Sequence, residues 1–312
     1  MTSKYHLRVL NTTAGFLHFA WACALCLVWE LNRRSDGSRR DLVYPLYSSY
    51  SAWNATSLQF LSKTRCAHPK SMRIGDMLVS PAWKDAQIRL SLHWLVVSFF
   101  LLSCLFQWVA ATMPRDILPN HVVRFVEYSF SASVMIVAIA LQLGIVSAQS
   151  ILLLAALTWT TMMIGLVAEI LLTHAVRPSN RYLRVRLKPK EKSDDEDETD
   201  HFEERVITLK QAAWLAHLTA WVTQIVVFYV LLAHFHGSQY SCQDGEVFKL
   251  SAPKFVWAIV YVELMLFASF GFVQTMQLLE VMPAIYAEIT YLVLSVCSKS
   301  ALGALVYGGN FI

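Results

Sequence analysis

Seven long apolar segments constrain the fold of this chain more than any other feature of its sequence. Each segment holds about 20 or more largely apolar residues, enough for an α-helix to cross the roughly 30 Å of bilayer hydrocarbon. Of the 312 residues, 56% are hydrophobic, and the mean hydropathy is +0.45. The chain is thus more apolar than a soluble domain, and an all-α membrane protein is predicted. The predicted spans are 11–31, 89–111, 122–147, 149–174, 209–236, 254–281 and 284–307.

The charge pattern alone does not orient these spans. Basic residues are enriched in cytoplasmic loops, but here they are divided almost evenly between the face that carries the N-terminus and the opposite face. The first apolar stretch lacks a small-residue cleavage motif, so no cleavable signal peptide is expected. A cytoplasmic N-terminus is disfavoured by the arginines just after the first span, Arg33, Arg34, Arg39 and Arg40.

Two long polar segments interrupt the spans. Residues 32–88 include a stretch at 42–50 that is rich in strand-forming residues, so a small β-ribbon is predicted there. Ser80-Pro81 then predicts the start of a helix that leads into the second span. Residues 175–208 carry a basic run followed by an acidic run with few apolar residues, which predicts disorder. This segment is either a solvated linker near anionic lipid or a tail that docks a partner protein.

Two cysteines lie in polar loops on the same face. Cys66 belongs to the 32–88 loop and Cys242 to the 237–253 loop. If that face is extracellular, the two thiols can form a disulfide; otherwise they are unpaired loop cysteines. The triplet Asn54-Ala55-Thr56 on this face is a candidate glycosylation site.

One lysine lies deep inside the seventh apolar segment. Lys299 is about three helical turns from the nearest acid in its own segment, Glu288. An ammonium at that depth costs from about 3 to more than 10 kcal/mol, so it needs either an anionic partner or a chemical use. The obvious use is covalent, because a lysine amine can form a Schiff base with an aldehyde.

The best candidate partner of Lys299 is Glu127, about six residues into the third span. A buried cation needs an anion, and removing one member of such a pair typically costs about 3–5 kcal/mol. The alternative is a local pair between Glu127 and Arg124. Glu127 and Lys299 differ in depth by roughly 15 Å at 1.5 Å per residue. This offset shrinks because helical side chains lean towards the N-terminus.

Other polar residues fall inside the predicted spans. His18, Gln107, Glu127 and Glu169 lie near the same membrane face, where they either share a hydrated polar cavity or reach the interface separately. Glu263 lies near mid-depth of the sixth span. It is either a protonated carboxyl group bonded to a neighbour or part of a proton path. No nucleic-acid motif, catalytic nucleophile or metal-ligand cluster is visible, so an enzyme is not expected.

Four sequence strings resemble those of the heliorhodopsins, a family of retinal-binding rhodopsins. The string EYSFSAS at 127–133, preceded by Arg124, resembles their third helix. The string LSVCSKS at 294–300 resembles their seventh helix, GLVAE at 165–169 their fourth, and Leu17-His18 their first. The resemblance covers the whole bundle and is weak in the 32–88 and 175–208 loops.

This resemblance implies a seven-helix rhodopsin-like bundle with a cytoplasmic N-terminus and an extracellular C-terminus. Lys299 would carry all-trans retinal as a protonated Schiff base, with Glu127 as the counterion and Ser295 hydrogen-bonded nearby. The β-ribbon of the first extracellular loop would take part in a homodimer, and residues 175–208 would be cytoplasmic. The side chains expected to line the retinal are those of Tyr128, Met162, Gly165 and Phe267.

A light sensor with a slow photocycle is the leading functional interpretation. A single counterion and the lack of an evident proton relay across the membrane argue against pumping. The family commonly has a histidine near Gln107, and glutamine cannot take up a proton, so proton transfer would depend on His18, water or Glu169. The alternatives are passive light-gated conduction of protons or ions through Glu263 and Glu169, and light-regulated binding of a cytoplasmic partner protein.

Overall fold

Seven helices form the body of the protein. The computed structural model describes residues 2–31, 43–54, 72–74, 77–113, 119–186, 196–237, 240–243, 246–249 and 252–310. Within these ranges, seven helices are long and apolar enough to cross a membrane. They are α1 (Thr2–Leu31), α2 (Leu92–Thr112), α3 (Asn120–Gln142), α4 (Ala148–Arg186), α5 (Glu196–Gly237), α6 (Lys254–Leu278) and α7 (Ala284–Asn310). The predicted seven-helix membrane fold is confirmed.

The helices form a bundle in which α3 is the most enclosed. Every pair of consecutive helices packs together, including α1 and α2, which a long loop joins, and α7 also packs on α1, α2 and α3. The most apolar stretch of α3 is 72% buried inside the protein, whereas those of α1 and α5 are only 28% buried. A polar group on α3 or on the inner face of α7 is therefore shielded from lipid and can meet partners from neighbouring helices.

Strands cover one end of the bundle. In the first long loop, β1 (Val43–Asn54), β2 (Met72–Ile74) and β3 (Met77–Ser91) form an antiparallel sheet in the order β1-β3-β2. In the loop between α5 and α6, β4 (Tyr240–Gln243) pairs with β5 (Glu246–Lys249). Both loops connect helices at the face opposite the start of α1. We call this the strand-bearing face and the other the N-terminal face.

The first sheet confirms the predicted β-ribbon, but the helix start predicted at Ser80-Pro81 is wrong. β3 continues through both residues to Ser91, and α2 begins at Leu92. Proline near the first turn is only a local helix signal. Here the long pairing of β3 with β1 overrides it. β2 pairs only with residues 77–79 of β3, so Pro81 lies beyond that pairing, at an edge position where a missing N–H is tolerated.

The charged segment 175–208 also differs from the disorder expected of it. α4 continues to Arg186 and α5 begins at Glu196, and residues 187–195 lie outside the described part of the chain. Extending a helix that the membrane already anchors avoids the cost of nucleation. The acidic residues at the start of α5 also favour helix, because they complement its dipole.

The proposed disulfide and glycosylation site concern residues that the structure describes only in part. Cys242 lies in β4 and Asn54 is the last residue of β1. Cys66 and the sequon residues Ala55 and Thr56 lie outside the described residues. The Cys66–Cys242 bond and modification of Asn54 stay predictions.

Candidate functional site

A buried lysine and a buried glutamate form the centre of the candidate site. Lys299 on α7 is 2% exposed and Glu127 on α3 is 1% exposed. The Lys299 Nζ atom donates to Glu127 Oε1 at 3.0 Å and to Ser295 Oγ at 2.7 Å. Ser295 lies one turn earlier on α7 and is fully buried. The amine therefore has an anion and a hydroxyl as partners in a place where water cannot supply them.

The direction of the lysine side chain reduces the difference in depth that the sequence suggested. Its bond to Ser295 places the amine about one turn nearer the start of α7 than the lysine backbone. At that end, Arg124 of α3 lies 2.5 Å from Glu288 of α7, so the first turns of the two helices lie side by side. This is an ion contact rather than a well-aligned hydrogen bond. Arg124 thus pairs across to α7, and not with Glu127 on its own helix.

A glutamine holds the second carboxylate oxygen of Glu127. Gln107 on α2 is 5% exposed, and its Nε2 donates to Glu127 Oε2 at 3.1 Å. Each oxygen of the carboxylate therefore accepts a hydrogen bond from a different helix. Donors to both oxygens fix the orientation of the carboxylate.

A polar cavity extends from Glu127 towards the N-terminal face. Its volume is about 300 Å³ including its mouth, and Gln107, Glu127 and the Arg124–Glu288 pair line it. Of the residues expected to share a cavity, the structure thus brings Gln107 and Glu127 together, and His18 and Glu169 are not in its lining. The fully buried ring of His18 faces Phe100 at 5.9 Å, and neither ring nitrogen meets a hydrogen-bond partner in the described part of the chain.

Glu169 belongs to a second polar network. Gln277 Nε2 donates to Glu169 Oε1 at 3.3 Å, and the Tyr291 hydroxyl donates to Gln277 Oε1 at 3.2 Å. The Tyr128 hydroxyl donates to the backbone oxygen of Tyr291 at 2.9 Å. Arg124 covers the Tyr291 ring at 4.2 Å. These contacts join α3, α4, α6 and α7 on the N-terminal side of Lys299.

An aromatic pocket of about 500 Å³, including its opening, lies among α3, α4, α5, α6 and α7. All four residues expected to contact a chromophore, Tyr128, Met162, Gly165 and Phe267, are in its lining. The Tyr128 ring also lies 5.2 Å from Lys299 Nζ. Tyr128 therefore contacts both the pocket and the buried amine.

Two glycines allow the walls of this pocket to come close together. A Cβ atom on Gly165 would lie 2.8 Å from the Phe125 ring, and one on Gly271 would lie 2.5 Å from the Trp221 ring. Both distances are too short for real contacts, so only glycine lets these rings lie against α4 and α6. A narrow apolar pocket beside a buried primary amine fits a long hydrophobic aldehyde.

Sequence reasoning missed the polar residues in this pocket. His217 Nδ1 bonds Gln274 Oε1 at 3.1 Å, Gln274 Nε2 donates to the Gly165 oxygen at 2.8 Å, and Gln224 lies in the same lining. The sequence does contain a signal for these residues. Residues 217, 221 and 224 are polar or aromatic and are spaced four and three apart, which places them on one face of α5. Residues 267, 270, 271 and 274 likewise share one face of α6.

Glu263 remains apart from these networks. It is fully buried one turn from Phe267 on α6, and neither carboxylate oxygen meets a hydrogen-bond partner within the described ranges. The neighbour expected to bond it is therefore not among these residues. No group of three or more His, Cys, Asp or Glu residues that could hold a metal ion occurs in the part of the chain that was described.

Comparison with known families agrees with this geometry. The chain matches the family described as heliorhodopsin over residues 7–182 and 200–311. The match includes Glu127 and Lys299 and omits the middle of the charged segment between α4 and α5. No curated protein matches the chain.

Proposed function

This chain belongs to the heliorhodopsin family and is a retinal-binding, light-sensing membrane protein, and from this premise we propose that Lys299 carries the retinal as a Schiff base with Glu127 as its counterion. The observation that carries the proposal is the 3.0 Å ion pair between two fully buried side chains, next to an aromatic pocket. A buried cation on the Lys299 nitrogen would meet an anion that is already oriented by Gln107.

Several side chains have distinct roles around the Lys299 nitrogen. Retinal, in its all-trans form in the dark, supplies light absorption and isomerisation. Ser295 Oγ and Glu127 Oε1 hold the nitrogen, while Tyr128 and the pocket aromatics keep water from it. Glu127 Oε1 is the nearest carboxylate oxygen to receive a proton released there. Gln107 cannot hold a proton. The proton therefore returns to the Lys299 nitrogen either from Glu127 or from water in the polar cavity.

The distribution of polar groups supports a sensor rather than a pump. Towards the N-terminal face, Glu127 opens on a polar cavity. Towards the strand-bearing face, the interior around α7 is mostly an apolar cluster that includes Phe100, Leu302 and Val306. The buried contact between His93 Nδ1 and the Tyr307 hydroxyl lies about two turns beyond Lys299 on that side, and Leu302 lies between them along α7. A pump needs proton acceptors and donors on both sides of the nitrogen. We therefore propose a slow photocycle without vectorial transport, in which movement on the N-terminal side carries the signal.

We further propose the inverted topology, with a cytoplasmic N-terminus and an extracellular C-terminus. This topology puts the β1–β3 sheet outside the cell, where it would contribute to a homodimer. It puts the helical extensions of α4 and α5 in the cytoplasm, where they would meet a partner protein. The resemblance to the family supports these assignments.

The test is the visible absorption band of the protein expressed with all-trans retinal. Wild type should show the band, and Lys299→Arg should lose it, because arginine keeps a cation beside Glu127 but cannot condense with an aldehyde. Lys210, which is 41% exposed and pairs with Glu280, provides the matched control. Lys210→Arg should keep the band, and a band retained by Lys299→Arg would refute the attachment.

Glu263 favours passive proton conduction as a second candidate. A fully buried carboxyl group without a hydrogen-bond partner among the described residues is expensive in a membrane interior unless it has a use. Patch-clamp recording under illumination separates the candidates. A photocurrent that reverses with the proton gradient and disappears in Glu263→Gln supports conduction, and its absence supports sensing.

A further inference from the structure

One polar group in the aromatic pocket is buried without a partner. Gln224 on α5 is 5% exposed and lines the pocket. Neither its Oε1 nor its Nε2 meets a hydrogen-bond partner within the described part of the chain. An unpaired amide in an apolar surrounding is costly, so a ligand that supplies a polar atom there is favoured over one that does not.

The neighbouring polar groups are already satisfied. His217 and Gln274 bond each other, and Gln274 also bonds the backbone oxygen of Gly165. The Thr161 hydroxyl bonds the Thr223 hydroxyl at 2.7 Å. The free hydrogen-bonding capacity of this wall therefore belongs to Gln224.

Gln224 lies on the side of the pocket away from the buried amine. α5 packs on α4 and α6, whereas Lys299 and Glu127 lie on α7 and α3. A ligand attached through its aldehyde carbon at Lys299 would direct its opposite end, the ring, towards α5. The ring end would thus meet the Gln224 amide.

We propose that this pocket is built for a retinal whose ring carries an oxygen, either a hydroxyl or a ketone, and that Gln224 recognises that oxygen. The inference rests on the proposed attachment at Lys299. An amide matches both forms of oxygen, because Nε2 donates to a ketone and Oε1 accepts from a hydroxyl. Unsubstituted retinal has a hydrocarbon ring and would leave the amide unpaired.

A competition experiment tests this recognition. Full-length protein made without chromophore is given equal amounts of all-trans-retinal and all-trans-3-hydroxyretinal, and in parallel all-trans-retinal and all-trans-4-oxoretinal. The bound ligands are then extracted and quantified by chromatography. Wild type should take up at least one oxygenated ligand in about tenfold excess, the ratio that one ordinary hydrogen bond gives.

Two variants isolate the amide. Gln224→Leu keeps the size of the side chain and removes its polar atoms, so the uptake ratio should fall to about one. Thr219→Val removes a hydroxyl on the exposed face of the same helix, which bonds the backbone oxygen of Leu215 and is absent from the pocket lining, so it should keep the wild-type ratio. Each ratio is measured within one preparation, which makes it independent of folding yield.

The outcomes separate this inference from the proposed attachment. A wild-type ratio near one for both pairs of ligands, or a ratio unchanged by Gln224→Leu, overturns recognition of the ring by Gln224. A tenfold ratio without a Lys299-dependent absorption band leaves that recognition standing and refutes the attachment. Failure to take up any of the ligands overturns both.

Discussion

Two buried cations of this bundle, Lys299 and Arg124, are neutralised in different ways. Lys299 lies deep in the bundle with Glu127, and both side chains are almost fully buried. Arg124 lies near the N-terminal face with Glu288, which is 18% exposed. Arg124 also lies over two aromatic rings, those of Phe125 and Tyr291. The bundle thus places the side chain whose neutral form is a nucleophilic amine where water is excluded, and the guanidinium group, which remains charged, where helices are joined.

The difference in burial should appear first in stability. Glu127→Ala leaves Lys299 as an unpaired buried cation and should lower the free energy of unfolding of the chromophore-free protein by about 3–5 kcal/mol. Glu288→Ala should cost less, about 1–2 kcal/mol, since Arg124 keeps its aromatic contacts and lies beside a polar cavity. Equilibrium unfolding in detergent measures both. Equal losses in the free energy of unfolding would show that the two ion pairs contribute equally to stability, which would contradict the comparison.

The same two carboxylates should differ in their effect on colour. An anion beside the protonated nitrogen stabilises the ground state of the chromophore, so Glu127→Gln should move the absorption band to longer wavelength. Glu288→Gln should leave the band nearly unchanged, because Glu288 pairs with Arg124 and not with Lys299. Visible spectra of the two variants decide the matter, and an unchanged spectrum in Glu127→Gln would reject the counterion assignment.

Arg124→Lys tests whether the outer pair depends on the guanidinium group. Lysine keeps the charge but loses the planar group that lies over Tyr291, so a loss of about 0.5–2 kcal/mol is expected. The absorption band should keep its position. A shift as large as that of Glu127→Gln would mean that Arg124 acts on the chromophore site directly.

Gln107→Leu tests how much the inner pair depends on the glutamine that orients its carboxylate. It removes one hydrogen bond from Glu127 Oε2, which should cost about 1–3 kcal/mol, because that bond is made to a charged group. The band should shift in the same direction as in Glu127→Gln, but by less. Gln107→Glu is a stronger test, because it places a second carboxyl group next to Glu127. A spectrum identical to that of wild type would show that the side chains at positions 107 and 127 are not coupled.

Local sequence signals were sufficient for the fold and for the inner ion pair. An apolar run that contains one lysine is unusual enough to select Lys299, and the need for an anion selects Glu127. The Arg124–Glu288 contact was not predictable in this way, because each residue alone suits a membrane interface and neither requires a partner inside the bundle. The helical extensions of α4 and α5 were missed because composition does not show that a helix is already nucleated by its membrane part.

Gln224 was missed for a different reason. In sequence it is one polar residue among apolar ones, and such a residue on α5 can face lipid headgroups, another helix or a cavity. Only the packing of α5 against α4 and α6 shows that it lines the aromatic pocket. The strand β3 was misjudged at Pro81 because the pairing partner that decides its conformation lies about 30 residues away, in β1.

The continuation of α4 beyond its apolar span connects the aromatic pocket to a helical segment outside the bilayer. The apolar span of α4 ends near Ala175, and the helix continues to Arg186, a further distance of about 16 Å at 1.5 Å per residue. Since Met162 and Gly165 lie on this same helix, a tilt of roughly 5° at the membrane edge would displace its outer end by about 1.4 Å. The extension would act as a lever, because a small tilt of α4 inside the membrane would move its outer end further.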